Sequence, residues 1–109
     1  MVQGFGGDMG SLLKQAQEMQ RRMQEIEQEL GERTVEGSAG GGAVKCTVSG
    51  RMELQSIRID PEAVDPDDVE TLEDLVSVAV RQALQAAKEL SEQERARVTG
   101  GLNMPGFGF

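Results

Sequence analysis

Six apolar residues, Leu12, Ala16, Met19, Met23, Ile26 and Leu30, follow one another at alternating spacings of four and three. That spacing draws one stripe along an α-helix. Apart from Leu13, everything between them is Gln, Glu, Lys or Arg, so the stripe is narrow and the remaining surface is wet. A helix sunk in a globular core needs a broader apolar face. The segment therefore reads as a projecting, coiled-coil-like arm from about Met9 to Leu30, stopped at Gly31. The methionines on the stripe read as irregular core filling.

The rest of the chain has little with which to build a core. It is 109 residues long, has no Trp or Tyr, and carries its three Phe (Phe5, Phe107, Phe109) near glycine-rich ends. A domain of this size buries a modest fraction of its surface, and no large ring is available to the middle of the fold. A second copy of the chain is the simplest source of additional cover. We therefore expect a homodimer of a single domain spanning 1–109, with flexible ends at 1–8 and 100–109.

Cys46 is the single cysteine and there is no His. These counts exclude an intrachain disulfide, a Cys/His metal cluster and an imidazole base. Cys46, Ser38 and the carboxylates are the whole of the candidate chemistry, so the expectation is a non-enzyme without cofactor or metal. No apolar run approaches the roughly 18 residues of a membrane span, and "MVQGFGGDMG" lacks the features of a signal peptide. A cytoplasmic location away from membranes is expected.

From Arg33 to Asp60 the period changes. In "AVKCTV", Val44, Cys46 and Val48 alternate with Lys45 and Thr47, as in a strand with one covered face. Cys46 then reads as a small buried hydrophobe. Ser49-Gly50 signals a turn, and "RMELQSIRID" reads as the next strand. Its parity breaks between Met52/Leu54 and Ile57/Ile59, which implies either a bulge near Gln55-Ser56 or cover on both faces. The stretch "VEGSAGGGAVKCTVSG" resembles a phosphate cradle at first sight. Gly37 and Gly42 have the outer spacing of a Walker loop, but Ala43 and Val44 stand where Lys and Ser/Thr are needed. A dinucleotide fingerprint fails at Lys45, and a strand follows where a helix should. Gly40–Gly42 therefore reads as a hairpin connection, and Gly37 as a bulge or a close backbone approach.

In "VDPDDVETLEDL", Asp65 is the expected N-cap and Pro66 the first helical residue, with Asp67, Asp68 and Glu70 at the positive end of the helix dipole. Asp60, Asp65, Asp67 and Asp68 lack the ligand spacing and glycine of a calcium loop. Leu72, Leu75, Val76, Ala79, Ala83, Ala87 and Leu90 give this helix a broad apolar face able to cover a sheet. Past Leu90 the polar run "SEQERARV" is expected to project before "TGG" ends the helix. The fold class is therefore α+β: a long N-terminal helix, a three-stranded antiparallel sheet and a long C-terminal helix.

Net charge is −8, which disfavours nucleic-acid binding taken as a sum. Its distribution is uneven. Between Arg33 and Ile59, Arg33, Lys45, Arg51 and Arg58 face only Glu36 and Glu53, whereas the acids concentrate from Asp60 to Asp74. Local basic surfaces are therefore available.

The blocks "MGSLLKQAQEMQRRMQ", "VEGSAGGGAVKCTVSG", "LEDLVSVAVRQAL" and "TGGLNMPGF" resemble, in order and over nearly the whole chain, those of the YbaB/EbfC family of bacterial nucleoid-associated proteins. Cys46 stands where valine is commoner in that pattern. The resemblance implies a homodimer whose helical arms project and engage double-stranded DNA in the nucleoid. On the arms this sequence offers Lys14, Arg21, Arg22, Lys88, Arg95 and Arg97 as DNA-binding candidates. Arg21 and Arg22 lie off the apolar stripe, with Glu18 and Glu25 within reach as helix-flank partners. No aromatic platform exists for unpaired bases and no recognition-helix signature is present, so duplex backbone contact with little base specificity is expected. The competing reading, favoured by the acidic charge, is a protein-interaction module whose arms grip a partner protein.

Overall fold

A computed structural model describes the backbone of residues 2–99 and the side chains of residues 9–99. Helix α1 (Val2–Glu32) leads into strands β1 (Thr34–Ala39), β2 (Val44–Ser49) and β3 (Leu54–Ile59), and helix α2 (Val69–Thr99) follows. The strands form one antiparallel sheet in the order β1-β2-β3, giving the α+β class expected from the sequence. Of the ends expected to be flexible, Met1 and 100–109 lie outside the described residues, as do the side chains of 2–8.

Alternation along β2 divides the sheet into two unlike faces. Val44, Cys46 and Val48 are fully buried against α2, where they meet Ala79, Ala83 and Ala87. These alanines recur every four residues and so lie along one edge of the helix. Opposite them is Gly37, where an added Cβ would come within 2.1 Å of the Ala79 carbonyl oxygen and 2.5 Å of the Ala83 nitrogen. The glycine is a close approach, not a bulge: α2 rests its backbone directly on β1. Leu72, Leu75, Val76, Val80 and Leu84 pack around this contact.

The connections follow from local chemistry. Gly40, Gly41 and Gly42 turn β1 into β2 with φ of 64°, 68° and 98°, a left-handed run that side chains with a Cβ resist. Between β2 and β3 the chain takes four residues, Gly50 to Glu53, so the strand starts at Leu54 and not at Arg51 as the sequence suggested. The buried Ser49 hydroxyl accepts hydrogen bonds from the Arg51 and Glu53 backbone N–H groups at 3.2 and 3.3 Å. Val48 pairs with Leu54 while Thr47 pairs with Ser56, which leaves Gln55 as the extra residue of a β-bulge. The broken parity is thus resolved by the first of the two alternatives.

Three helix ends differ from expectation: α1 already begins at Val2, where the apolar stripe placed its start near Met9. Asp65 and Pro66 belong to a turn, in which Asp65 accepts from Asp67 and Asp68, and the cap of α2 is Asp68. Its carboxylate accepts from the Thr71 N–H at 3.3 Å and the Thr71 hydroxyl at 2.6 Å. Proline is as well suited to the second position of a turn as to the first of a helix, and here the turn prevails. At the other boundary α1 runs past Gly31 to Glu32, with Arg33 N–H still reaching the Glu29 carbonyl at 3.1 Å.

The molecule is long. Its Cα radius of gyration is 21.3 Å and its principal extents are 79 × 25 × 16 Å, against roughly 13 Å for a compact chain of this length. From Met9 to Glu18 every residue of α1 is exposed. Only the far end of the helix is anchored, through Ile26 and Leu30.

Two outcomes test this packing. Gly37→Ala should lower stability by about 1–3 kcal/mol or more through overpacking against α2, read as a fall in the urea midpoint; an unchanged midpoint would remove the helix-on-strand contact. Burial also pushes the Cys46 thiol pKa upward, because desolvation penalises the thiolate. The fold thus favours the neutral thiol, and the associated stability, complete below the unfolded pKa of about 8.5, is lost as pH rises through the higher folded value. Alkaline urea titrations should show this loss in the wild type and a smaller one in Cys46→Val; parallel losses would exclude the thiol as the cause.

Candidate nucleic-acid interface

The anchored end of α1 lies beside the C-terminal turns of α2. Ile26 and Val98 face the cleft between the helices, with Arg22, Glu25, Glu29, Glu94 and Arg97 around it. Ion pairs tie the two helices and the sheet together. Glu27 of α1 is held by Arg95 of α2 and, at 4.0 Å, by Arg51 of the β2–β3 connection. Glu94 of α2 is held by Arg33 at 3.1 Å and Arg97 at 3.2 Å. The polar run after Leu90, expected to project freely, instead makes these contacts with α1 and the start of β1.

The six sequence candidates therefore divide into two sets. Arg21 lies between Glu18 and Glu25 at 3.3 and 3.5 Å, Arg95 pairs with Glu27 and takes the Ser91 hydroxyl at 3.1 Å, and Arg97 pairs with Glu94. Lys14, Arg22 and Lys88 make no ion pair among the described residues. Lys14 sits on the exposed shaft of α1, Arg22 at the mouth of the cleft and Lys88 on the outer flank of α2. An exposed ion pair is worth at most about 1 kcal/mol. Phosphate can displace such a carboxylate, but an unpaired cation needs no exchange.

Sequence reasoning left out three further cations that make no ion pair among the described residues, Arg81 on α2 and, on the sheet, Lys45 and Arg58. Lys45 and Arg58 are directly opposite one another on β2 and β3, with Ser38 opposite Lys45 on β1. Their side chains lie on the face away from α2, and both are exposed. Neither makes an ion pair among the described residues. The signal was present in the basic excess between Arg33 and Ile59, but only strand register shows that these two residues share a row.

Carboxylates at the start of α2 serve the backbone. Asp60 accepts from Glu62 N–H at 3.0 Å, as Asp65 and Asp68 do within their own turns. Among the described residues no group of carboxylates and cysteine is arranged to hold a metal ion. No described helix is long and apolar enough to cross a membrane.

Residues 5–102 match the model of the YbaB/EbfC DNA-binding family, and the chain belongs to it. It is 53% identical over 106 residues to the nucleoid-associated protein TTE0040 of Caldanaerobacter subterraneus subsp. tengcongensis, covering 95% of this chain and 96% of that one. With a nucleoid-associated protein of Desulforamulus reducens it shares 54% identity over 103 residues, 94% of this chain and 98% of the relative. The fold is also that of the uncharacterized protein HP0035 from Helicobacter pylori, with a TM-score of 0.61 at 20% identity over 72% of this chain and 90% of the other.

Proposed function

We propose that this protein binds duplex DNA in the nucleoid as a homodimer with little sequence specificity, using its projecting helical arms, and that several dimers on one duplex bridge or compact it. The observation that carries the reading is the exposed shaft of α1, which extends past the sheet and presents Lys14 and Arg22 without carboxylate partners among the described residues. Membership of a DNA-binding family and relatives named as nucleoid-associated proteins support it. With so few free cations each dimer neutralises a handful of phosphates, so affinity is modest and falls with salt.

The dimer is supported by β3. Among the described residues this edge strand pairs only with β2, and the buried cluster under α2 is built on β1 and β2. Leu54, Ile57 and Ile59 pair with the buried Val48, Cys46 and Val44 and so share the apolar face, yet remain 53%, 39% and 39% exposed. An open backbone edge beside an uncovered apolar strip is a self-complementary surface, and a second β3 related by a two-fold axis satisfies both. The exposed Leu12 and Leu13 on the shaft, at 62% and 61%, are the observation favouring the competing reading of a grip on a partner protein.

Anisotropy titrations against an arbitrary duplex and a matched single strand, in rising salt, test the function. Salt-sensitive binding that prefers the duplex and ignores its sequence is expected, and Lys14→Glu with Arg22→Glu should weaken it by about tenfold or more. No duplex binding at low salt would pass the arms to a protein partner. Sedimentation should give a dimer for the wild type and a folded or partly folded monomer for Ile57→Glu; a stable dimer in that variant would place the interface elsewhere.

A further inference from the structure

The face of the sheet turned away from α2 has a composition unlike any other part of this acidic molecule. Glu36, Ser38, Lys45, Thr47, Ser56 and Arg58 occupy its central two rows, in the registers Ser38–Lys45–Arg58 and Glu36–Thr47–Ser56. Five of the six are exposed and Thr47 is half-buried. No apolar side chain interrupts these rows, whereas a protein-binding core is built on apolar and aromatic residues.

We propose that this face is a second duplex-contacting surface, in which Lys45 and Arg58 meet phosphates and the hydroxyls of the two rows hydrogen-bond the sugar–phosphate backbone. The inference rests on the duplex-binding reading above and assigns it residues outside the arms. Three observations carry it. Lys45 and Arg58 are adjacent across a strand pair, about 4.8 Å apart at the backbone, so the two long side chains converge on one phosphate or on neighbours. Neither is engaged by a carboxylate among the described residues, unlike Arg21, Arg95 and Arg97 on the helices. Serine and threonine hydroxyls with Lys and Arg are also the side chains that position proteins on a DNA backbone. Among the described residues the face has no aromatic residue on which an unpaired base could stack, which favours duplex over single strand. Glu36 is the one carboxylate in these rows and opposes binding.

The test uses the full chain and a random-sequence duplex, with anisotropy measured across a salt series. Lys45→Gln with Arg58→Gln should weaken binding roughly tenfold at low salt and reduce the slope of log affinity against log salt by about 0.9 for each phosphate contact removed. Glu36→Gln should tighten binding by roughly two- to fivefold, a gain that misfolding cannot produce. A wild-type slope in the double variant, together with unchanged affinity in Glu36→Gln, overturns the proposal. If the Lys14→Glu/Arg22→Glu variant is weakened in the same series, the arm reading stands without it. If the wild type itself ignores the duplex, both readings fall. Should the double variant fail to melt cooperatively, Glu36→Gln alone decides.

Discussion

The backbone contact between α2 and Gly37 sets the dimensions of the whole molecule. With no Cβ on the strand and alanines on the helix, the two elements approach until the Ala79 carbonyl occupies the space a side chain would need. The core between them is therefore thin, made of alanine, valine and one cysteine. A single helix seated so closely covers two strands and no more. β3 is left with its apolar residues uncovered, and the shaft of α1 is left without a sheet to lie on. The exposed edge of β3 and the exposed shaft of α1 are the two surfaces left open beside this contact.

Electrostatics then determine what the exposed parts can do. Most of the arginines on the helices are held by glutamates, with Glu27 and Glu94 each shared between two. Such pairs contribute little to stability when exposed, but they fix how α1 leaves the body, and they lower the number of cations free to meet phosphate. In the acidic run before and at the start of α2, Asp60, Asp65 and Asp68 accept hydrogen bonds from the backbone of their turns, and the run as a whole opposes a polyanion at that end. What remains for DNA among the described residues is a sparse set of unpaired cations, Lys14, Arg22, Arg81 and Lys88 on the helices and Lys45 and Arg58 on the sheet.

Much of this was legible beforehand because it depends on local rules. The four-three spacing of Leu12 to Leu30 marked a helix with a narrow seam, the alternation at Val44, Cys46 and Val48 marked a one-sided strand, and the glycine block lacked the lysine of a phosphate cradle. The misreadings occurred where two local rules were equally satisfied. Asp65-Pro66 fits a helix start as well as a turn, and Gly31 fits a helix stop although the chain continues its turn past it. The candidate cations were chosen by their place on the projecting arms, so Arg81, Lys45 and Arg58 were passed over, and a sequence does not say which residues of different strands stand side by side.

The sequence by itself determined the periods, the turns and the scarcity of core-forming side chains, since each depends on residues within a few positions of one another. It also carried the family, through ordered blocks spanning nearly the whole chain. Only the tertiary structure decided which arginines are already paired, where the bulge falls in β3, which strand α2 fails to cover and which face of the sheet collects the free cations. Those outcomes depend on distances between residues far apart in the chain, and such distances are fixed only when helix and sheet are packed together.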